Sequence, residues 1–571
     1  MNIGPYHHHL PCYSPPTPSI VNPPPPPLPL LSISLSYIFG PKELHHRALE
    51  QLPNLAYCIN DNPRWIESIF LGFQHYLTML GTTVLIPTLV FRNIIGETSD
   101  LSRSDLSRVV QSALFVSGIN TLLQTVLGSR LPAVMGNSFY FLSITLSIVN
   151  APSISAIPDP HERFRHAMRA TQGAFIAGSA LNIILGFSGL WGLFARFINP
   201  IVIAPVTAIV GLGLLEYGFP GVGKCVEIGI PALLFILIFS QHLKHIHIPH
   251  VPFIHNIHFF ELFPIIFGVV IVWVYATILT VAGAYDHASA LGQIHCRTDR
   301  SGLVSHAPWV RMSYPLQWGA PTFDAGNAFG VMSAGFSALV ESTGGFYALS
   351  RLAGATPPPS YVISRGIGWQ GVGLLLNGFF GTFTGATVAP ENIGLVGLTR
   401  VGSRRVIQIS AIFMLFFSIF GKFGGILAAI PQPIVAAILC ITFGMVVGTG
   451  LSVLQFTNLN MTRNLFVVGF SIFLGLSVPQ YFSEFALRAY HGPVHTHALW
   501  FNNILNIFFG SPIIITFIVA LVLDNTLLWH VSRKDRGLPW TRKFRSFGAD
   551  ARNEEFYSLP FGLHKIFPPN Y

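Results

Sequence analysis

Three short groups of polar residues interrupt apolar stretches of the sequence. Gln74 and His75 lie in one stretch, Glu341 lies in a second, and Glu391 with Asn392 lies in a third. Ionisable side chains surrounded by hydrocarbon are costly, so each is a candidate for a functional role. A carboxylate at the membrane midplane needs a partner or must take up a proton, and this applies to both Glu341 and Glu391. No HExxH, GxSxG or paired metal-ligand motif accompanies these residues, which argues against an enzyme.

The alternative is that these residues only hold helices together. Glu suits that role less well than Ser, Thr or Asn, so we expect functional roles for Glu341 and Glu391. For His75 both interpretations stay open, because a single His in a membrane often bridges two helices. Asp524 falls at the end of the last apolar stretch, where we expect contact with solvent at the membrane surface to explain it.

The elements that must position these residues are membrane-spanning helices. Of the 571 residues, 51% are hydrophobic and only 10% are charged, and the mean hydropathy is +0.56. Soluble domains carry about 25% charged residues, so the composition excludes a soluble fold. The net charge of +9 is spread over short loops and the tail, so we predict no nucleic-acid partner.

Apolar runs of about 20 residues, the length that crosses a membrane, recur along the chain. Two further apolar segments, 131–149 and 384–398, are rich in residues that favour extended chain, and each is third in a set of seven. Such paired interruptions indicate an inverted repeat with a binding site at the membrane midplane. We therefore predict an all-α polytopic membrane protein with fourteen transmembrane segments as a 7+7 inverted repeat, two of them broken and carrying short strands. The other twelve are 68–90, 109–129, 170–189, 197–216, 226–241, 260–283, 328–350, 366–384, 404–421, 424–448, 464–480 and 508–527.

The distribution of charge predicts the orientation. The loops on one side collect arginine and lysine with few acidic residues, whereas the loops on the other side mix both signs, so we expect both termini in the cytoplasm. The predicted divisions are a disordered proline-rich extension (1–40), a cytoplasmic N-terminal segment (41–66), the transmembrane domain (67–528) and a cytoplasmic C-terminal tail (529–571).

Cysteine and histidine show no metal-ligand pattern. The five Cys lack a CxxC pair and are interpreted as structural; only Cys296, in a predicted external loop, is a candidate for oxidation, and no partner for it is evident. Six His between His242 and His258 are spaced irregularly, so we predict no metal site.

The segment from Glu391 to Arg400 (ENIGLVGLTR) resembles the signature of the nucleobase–ascorbate transporters. In that signature Asn-x-Gly-x4-Thr follows Gln, Glu or Pro and precedes a basic or small residue; Asn392, Gly394 and Thr399 fill the fixed positions. The likeness extends from about Leu52 to the C-terminus, and further similar stretches are 72–78, 338–344 and 401–405, with 296–300 and 554–560 similar to plant members.

The resemblance implies a core domain (segments 1–4 and 8–11) that moves past a gate domain (segments 5–7 and 12–14), usually in a homodimer in the plasma membrane. It implies a proton as the coupling ion, no cofactor and no metal. In similar proteins the residues matching Glu341 and Glu391 hold the base, with backbone near Ser138 and Phe139 and support from His75. Asn392 belongs to the same expected binding set, and the expected motif or translocation residues are Gln74, Gly394, Thr399 and Arg400.

The chemistry of the residues favours a nucleobase. A base presents adjacent ring N–H donors and carbonyl acceptors, which a carboxylate and backbone N–H groups satisfy together. Phe139 offers a ring for stacking, worth about 1–3 kcal/mol per base at other nucleic-acid sites. Ascorbate is an anion that two carboxylates would repel, and family members similar to ascorbate carriers have Pro where Glu391 stands. No carboxylate occurs between Arg365 and Glu391, where many relatives carry one, so proton coupling rests mainly on Glu341.

We therefore predict a secondary active transporter, a proton-coupled symporter for uracil, purine or xanthine-type bases that works by an elevator mechanism. The alternatives left open are an ascorbate carrier of the same family, an anion exchanger or channel of the same fold, and a diverged copy without transport.

Overall fold

The computed structural model describes residues 51–53, 55–95, 100–195, 197–243, 259–299, 309–420, 422, 430–489, 491–527, 531–544, 550–560 and 563. The predicted extension 1–40 and most of the histidine-rich stretch that begins at His242 lie outside the described residues.

The first part of the chain folds into helices interrupted by one strand. Short polar residues begin two of the long helices: the side chains of Asp159 and Asn199 accept hydrogen bonds from backbone N–H groups of the first turn, and a proline follows each. The elements are α1 (Trp65–Ile95), α2 (Asp100–Val126), β1 (Met135–Asn137), α3 (Leu142–Val149), α4 (Pro152–Ser155), α5 (Pro160–Phe187), α6 (Leu190–Ala195), α7 (Pro200–Leu212), α8 (Phe219–Val222), α9 (Val226–Leu237), α10 (Phe259–Leu262), α11 (Pro264–Val281) and α12 (Ala290–Cys296).

The second part repeats this pattern around a second strand. Asp324 caps its first long helix by accepting a hydrogen bond from the backbone N–H of Asn327. The elements are α13 (Ala325–Leu352), α14 (Ser360–Phe380), β2 (Ala386–Val388), α15 (Pro390–Thr399), α16 (Arg404–Ile419), α17 (Gln432–Ser452), α18 (Thr462–Ala489), α19 (Leu499–Phe509), α20 (Pro512–Thr526), α21 (Leu538–Lys543) and α22 (Arg552–Tyr557). Short 3-10 turns cover Phe139–Phe141, Leu215–Tyr217, Gly223–Cys225 and Val453–Phe456, and a π-helical turn covers Ile238–His242.

Seven described helical stretches are long and apolar enough to cross a membrane, and α19 with α20, bent by 73°, forms an eighth candidate. The stretch Pro200–His242 contains two of the predicted segments. Helix α13 is long enough to span a membrane but is not among these apolar stretches. It is buried along most of its length, so other helices and not lipid surround its side chains. The prediction of a helical, multi-pass membrane protein is confirmed, and the count of fourteen segments stays a prediction. The seven stretches are Trp65–Phe91, Asp105–Val126, Pro160–Phe187, Pro200–His242, Pro264–Val281, Gln432–Phe456 and Thr462–Ala489.

The two interrupted segments meet as a small antiparallel sheet. Strand β1 pairs with β2 so that Gly136 lies opposite Thr387, and all residues of both strands are buried. Backbone groups at this depth need protein partners. Beyond the strand pair, the N–H of Met135 donates to Thr121 Oγ1 at 2.9 Å and the N–H of Val388 donates to Ser342 Oγ at 3.2 Å. The prediction of short strands in these two segments is confirmed.

Helices α5 and α14 approach each other closely because both carry glycine at their contact. A Cβ atom added to Gly186 would lie 2.1 Å from the backbone nitrogen of Gly368, which no side chain tolerates. Small residues commonly allow such close contact between membrane helices. This pair forms part of the scaffold behind the two strands.

A disulfide joins Cys225 to Cys296, 71 residues apart in the sequence. The expectation that Cys296 can oxidise is confirmed, and the partner that the sequence left open is Cys225. Cys225 lies in the turn directly before α9. The spacing of cysteines in a sequence does not determine which of them pair. The bond connects that turn to α12.

Asp524 is fully buried, so the expectation that solvent contact explains it is wrong. Its carboxylate forms ion pairs with Arg463 at 2.7 Å and with Arg536, and it accepts a hydrogen bond from Asn199 Nδ2 at 2.5 Å. A buried charge needs such partners, and here they link the starts of α7 and α18 to the segment after α20.

The described C-terminal residues pack against the helices. Trp540 stacks on Phe456 with ring centroids 4.5 Å apart. Farther along, Arg404 Nη2 donates to the backbone oxygen of Phe556 at 2.9 Å, and Arg365 Nη2 donates to that of Tyr557 at 3.0 Å. The described residues of 531–544 and 550–560 therefore contact the 3-10 turn after α17 and helix α16, respectively.

Candidate functional site

Two buried carboxyl groups lie beside the strand pair. Glu341 comes from the middle of α13 and Glu391 from the first turn of α15, and each residue is only 2% exposed. Ser138 Oγ donates to Glu341 Oε2 at 3.4 Å, and Thr82 Oγ1 donates to Glu391 Oε1 at 2.7 Å. Both carboxyl groups border strand β1, because Ser138 directly follows this strand and Gly136 within it lies beside Glu391.

One face of the small sheet points toward these carboxyl groups. Side chains alternate along a strand, so Gly136 and Ser138 share a face, and Thr387 shares it because it pairs with Gly136. A Cβ atom added to Gly136 would lie 3.9 Å from Glu391 Oε1 and 3.1 Å from the Cβ of Ala389. Glycine at 136 therefore leaves space between the strand and Glu391.

His75 and Asn392 join α1 to the start of α15. The Nδ2 atom of Asn392 donates to the backbone oxygen of His75 at 2.9 Å and lies 3.0 Å from its ring Nδ1. With the amide as the donor, Nδ1 accepts and the ring proton sits on Nε2. The amide oxygen of Asn392 is buried and has no hydrogen-bond partner among the described residues, so it is a spare acceptor beside Glu391.

Phe139 directly follows the serine that contacts Glu341. Its ring stacks on Tyr217, with centroids 3.8 Å apart and planes inclined by 20°. The buried hydroxyl of the next residue, Tyr140, has no hydrogen-bond partner in the described part of the chain. An aromatic surface therefore borders the carboxyl groups.

Three predicted motif residues hold α15 in place. A Cβ atom added to Gly394 would lie 2.2 Å from the backbone oxygen of Thr442, so only glycine allows this contact with α17. Thr399 Oγ1 donates to the backbone oxygen of Leu395 in its own helix at 2.9 Å. Arg400 ends the helix in the left-handed region (φ 56°), and its side chain pairs with Glu261 at 3.4 Å.

Gln74 contacts different elements from its neighbour His75. Its Nε2 atom donates to the backbone oxygen of Leu262 at 3.2 Å, and its Oε1 atom accepts from the N–H of Ile266 at 3.4 Å. It therefore links α1 to α10 and α11. The structure brings together Glu341, Glu391, Asn392, His75, Ser138 and Phe139, while Gln74, Thr399 and Arg400 make contacts with other groups.

Sequence reasoning missed Thr82, Gly136 and Thr387 at this site. Thr82 lies seven residues after His75, two helical turns along the same face of α1, so the spacing could have indicated it. Gly136 and Thr387 depend on the strand register, which the sequence does not show.

The described part of the site offers hydrogen-bond acceptors and carboxyl groups that can take up a proton. No Lys or Arg among the described residues forms an ion pair with Glu341 or Glu391. Uncompensated buried charge is costly, so a proton or a ligand with N–H donors would stabilise these carboxyl groups. The site is therefore suited to a neutral ligand rich in N–H donors.

Comparison with known proteins identifies the family. The sequence model named Xan_ur_permease, described as a permease family, matches residues 66–484. Nucleobase-ascorbate transporter 2 of Arabidopsis thaliana is 53% identical over 530 residues, which cover 93% of this chain and 99% of the relative. The chain belongs to the nucleobase–ascorbate transporter family. Nucleobase-ascorbate transporter 6 of the same plant is 54% identical, covering 92% of this chain and 97% of the relative.

Membership confirms the class of function. Members of the nucleobase–ascorbate transporter family are permeases, so this member is a membrane transporter and not an enzyme. It works in a lipid bilayer and carries a small molecule.

Two solved transporter structures share distant similarity with this nucleobase–ascorbate transporter family member. The murine Slc26a9 anion transporter in the inward-facing state is 13% identical, with a TM-score of 0.40, covering 89% of this chain and 76% of that one. The transmembrane domain of the cyanobacterial bicarbonate transporter BicA is 14% identical, with a TM-score of 0.34, covering 82% and 99%. This similarity is too distant to indicate a substrate.

Proposed function

We propose that this transporter is a proton-coupled symporter for nucleobases of the uracil, purine or xanthine type. The observation that carries the proposal is the pair of buried carboxyl groups, Glu341 and Glu391, beside the strand pair and without a described cationic partner. The printed names of the relatives include both nucleobase and ascorbate, so the choice between them depends on the chemistry of the site.

A neutral base matches the groups available. Adjacent ring N–H groups of the base would donate to Glu391 and to the spare amide oxygen of Asn392. Phe139 supplies an aromatic face beside the carboxyl groups. An ascorbate anion would meet two carboxyl groups and no described cation, which disfavours it.

Glu341 is the proposed proton carrier. Its described hydrogen-bond partner is the hydroxyl of Ser138, which can donate to a carboxylate or accept from a protonated carboxyl group. Both protonation states are therefore satisfied locally. Entry of each proton would supply about 2.3 kcal/mol per 100 mV of membrane potential.

We extend the proposal to an elevator mechanism in a homodimer. Segments 1–4 and 8–11 of the proposed fourteen form the moving core, and segments 5–7 and 12–14 form the gate. Glu341, Glu391 and the strands lie on core segments. Their contacts on the other side are Thr442, on gate segment 12, and Tyr217, which directly follows gate segment 5. Moving the core would carry the whole binding set across the membrane. Cytoplasmic termini and a plasma-membrane location complete the proposal.

Direct uptake tests this function. Cells without their own carriers would express the protein and receive radiolabelled uracil, adenine, guanine, xanthine or ascorbate at acidic and at neutral external pH. We expect saturable base uptake that is stronger in acid and abolished by a protonophore. Uptake of ascorbate alone would identify ascorbate, and not a nucleobase, as the substrate. Ionic currents that no base affects would favour an anion exchanger or channel. A surface-localised protein that moves none of these would contradict the proposal.

A further inference from the structure

Tyr217 covers the aromatic ring nearest the carboxyl groups. It is the last residue of the 3-10 turn Leu215–Tyr217, which follows α7. Its ring lies almost parallel to that of Phe139, at a centroid distance of 3.8 Å. This distance is full van der Waals contact, so no planar ligand fits between the two rings as they stand.

Phe139 packs against two separate clusters of buried side chains. On one side Phe139 packs against the buried cluster that contains Leu80, Val134 and Ala389, next to the strand pair. On the other side it packs with Tyr217 against Leu214, Leu439 and Phe443. Phe139 therefore lies at the boundary between the strand pair and the group formed by α17 and the turns after α7.

The polar end of this boundary lies beside the proposed site. Ser138, which directly precedes Phe139, donates to Glu341 Oε2 at 3.4 Å. Tyr217 therefore stacks on the residue next to the one that contacts the carboxyl group. A ligand that bonds to Glu341 and stacks on Phe139 must meet Tyr217.

We propose that Tyr217 is a specificity-determining residue of the site, which sets the ring size of the base that Phe139 accepts. The proposal rests on the proposed function. Tyr217 occupies the Phe139 face that a base needs, so binding requires its ring to shift, and the space vacated limits the ligand. A one-ring pyrimidine requires a smaller shift than a two-ring purine. Removing the ring of Tyr217 therefore relieves purines more than pyrimidines.

The test compares uptake of uracil and xanthine by the wild type, Tyr217→Phe, Tyr217→Leu and Tyr217→Ala, with surface abundance measured for each. In Tyr217→Ala we expect the KM for xanthine divided by the KM for uracil to fall roughly tenfold, the scale of one aromatic stacking contact. Tyr217→Leu should shift the ratio in the same direction. Tyr217→Phe keeps the ring and should preserve the wild-type ratio. Tyr275→Ala, which alters an exposed tyrosine of α11, is the matched control.

The outcomes separate this proposal from the proposed function. Base uptake with an unchanged KM ratio in Tyr217→Ala or Tyr217→Leu would overturn the role of Tyr217 and leave the transport proposal intact. If Tyr217→Ala fails to reach the surface, the ratio in Tyr217→Leu decides. Absence of base uptake by surface-localised wild type would overturn the proposed function, and the role of Tyr217 would fall with it.

Discussion

The side-chain amide of Asn392 holds His75 at two points: Nδ2 donates to the backbone oxygen of His75 at 2.9 Å and lies 3.0 Å from its ring Nδ1. Both residues are buried. Asn392 directly follows Glu391, so this contact fixes where the first turn of α15 presents its carboxyl group to the strand pair. His75 therefore acts on the proposed site through Asn392.

Replacing Asn392 by Ala should weaken base binding without removing the protein from the membrane. The change removes the donor that faces the buried ring nitrogen Nδ1 of His75, a loss of about 1–3 kcal/mol. We expect the KM for the base to rise roughly tenfold in uptake assays. Asn93→Ala, at an exposed site on α1, should leave KM unchanged. A wild-type KM in Asn392→Ala would contradict the positioning role.

The hydrogen bond from Thr82 to Glu391 should strengthen binding of the base. Its hydroxyl donates to Glu391 Oε1 at 2.7 Å, and hydrogen bonds to charged groups are worth about 1.5–3 kcal/mol. We expect Thr82→Ala to raise the KM for the base tenfold or more, on the order of that bond energy, and Thr82→Ser to restore it. The neighbouring Thr83 bonds to the backbone oxygen of Met79 in its own helix, so Thr83→Ala is the control. Equal KM values for the two alanine variants would argue against the contact.

Gly394→Ala should lower the stability of the folded protein. The new Cβ would lie 2.2 Å from the backbone oxygen of Thr442, so α15 and α17 would have to separate. Inserting a methyl group into such packing costs about 1–3 kcal/mol or more, and we expect a lower melting temperature and less protein at the surface. Gly444→Ala is the matched control on α17, because no atom lies within 4 Å of a Cβ added there. Wild-type melting in both variants would show that the close contact does not exist.

Asp524→Asn should destabilise the fold. The change removes the negative charge that Arg463 and Arg536 share in a buried setting, and breaking a buried pair costs about 3–5 kcal/mol. We expect a clear fall in thermal stability of the purified protein. Asp286→Asn removes an exposed partner of Arg297 and should change stability by about 1 kcal/mol or less. Similar small effects in both variants would contradict this account of Asp524.

Much of the fold was predictable because its signals are local. Long apolar runs predict spans, and the Gly, Thr, Val and Pro of segments 131–149 and 384–398 predicted extended chain, which the structure confirms as β1 and β2. Not every predicted run is one straight helix. The last run, 508–527, corresponds to the second helix of a pair that is bent by 73°. Tertiary packing sets that bend, and no local pattern indicates it.

Pairings across long distances were not predictable. Cys225 and Cys296 carry no spacing that names them as partners, and Asp524 meets Arg463 and Arg536 only because three elements converge. At the site, Glu341 and Glu391 were evident as charges in apolar runs, whereas Gly136 and Thr387 join them through the strand register. The sequence therefore indicates which residue types can do chemistry at the site. It does not indicate which residues the fold brings into contact with them.

The most direct test of the central proposal is the electrical current that a nucleobase evokes in cells expressing the wild type or Glu341→Gln, with both proteins quantified at the surface. The wild type should give an inward current that grows as external pH falls, because each base enters with a proton. Glu341→Gln cannot carry the proton and should lose both the current and pH-dependent accumulation, whereas Glu484→Gln, at an exposed site on α18, should behave like the wild type. A pH-dependent current of wild-type size in Glu341→Gln would contradict the assignment of Glu341 as the proton carrier.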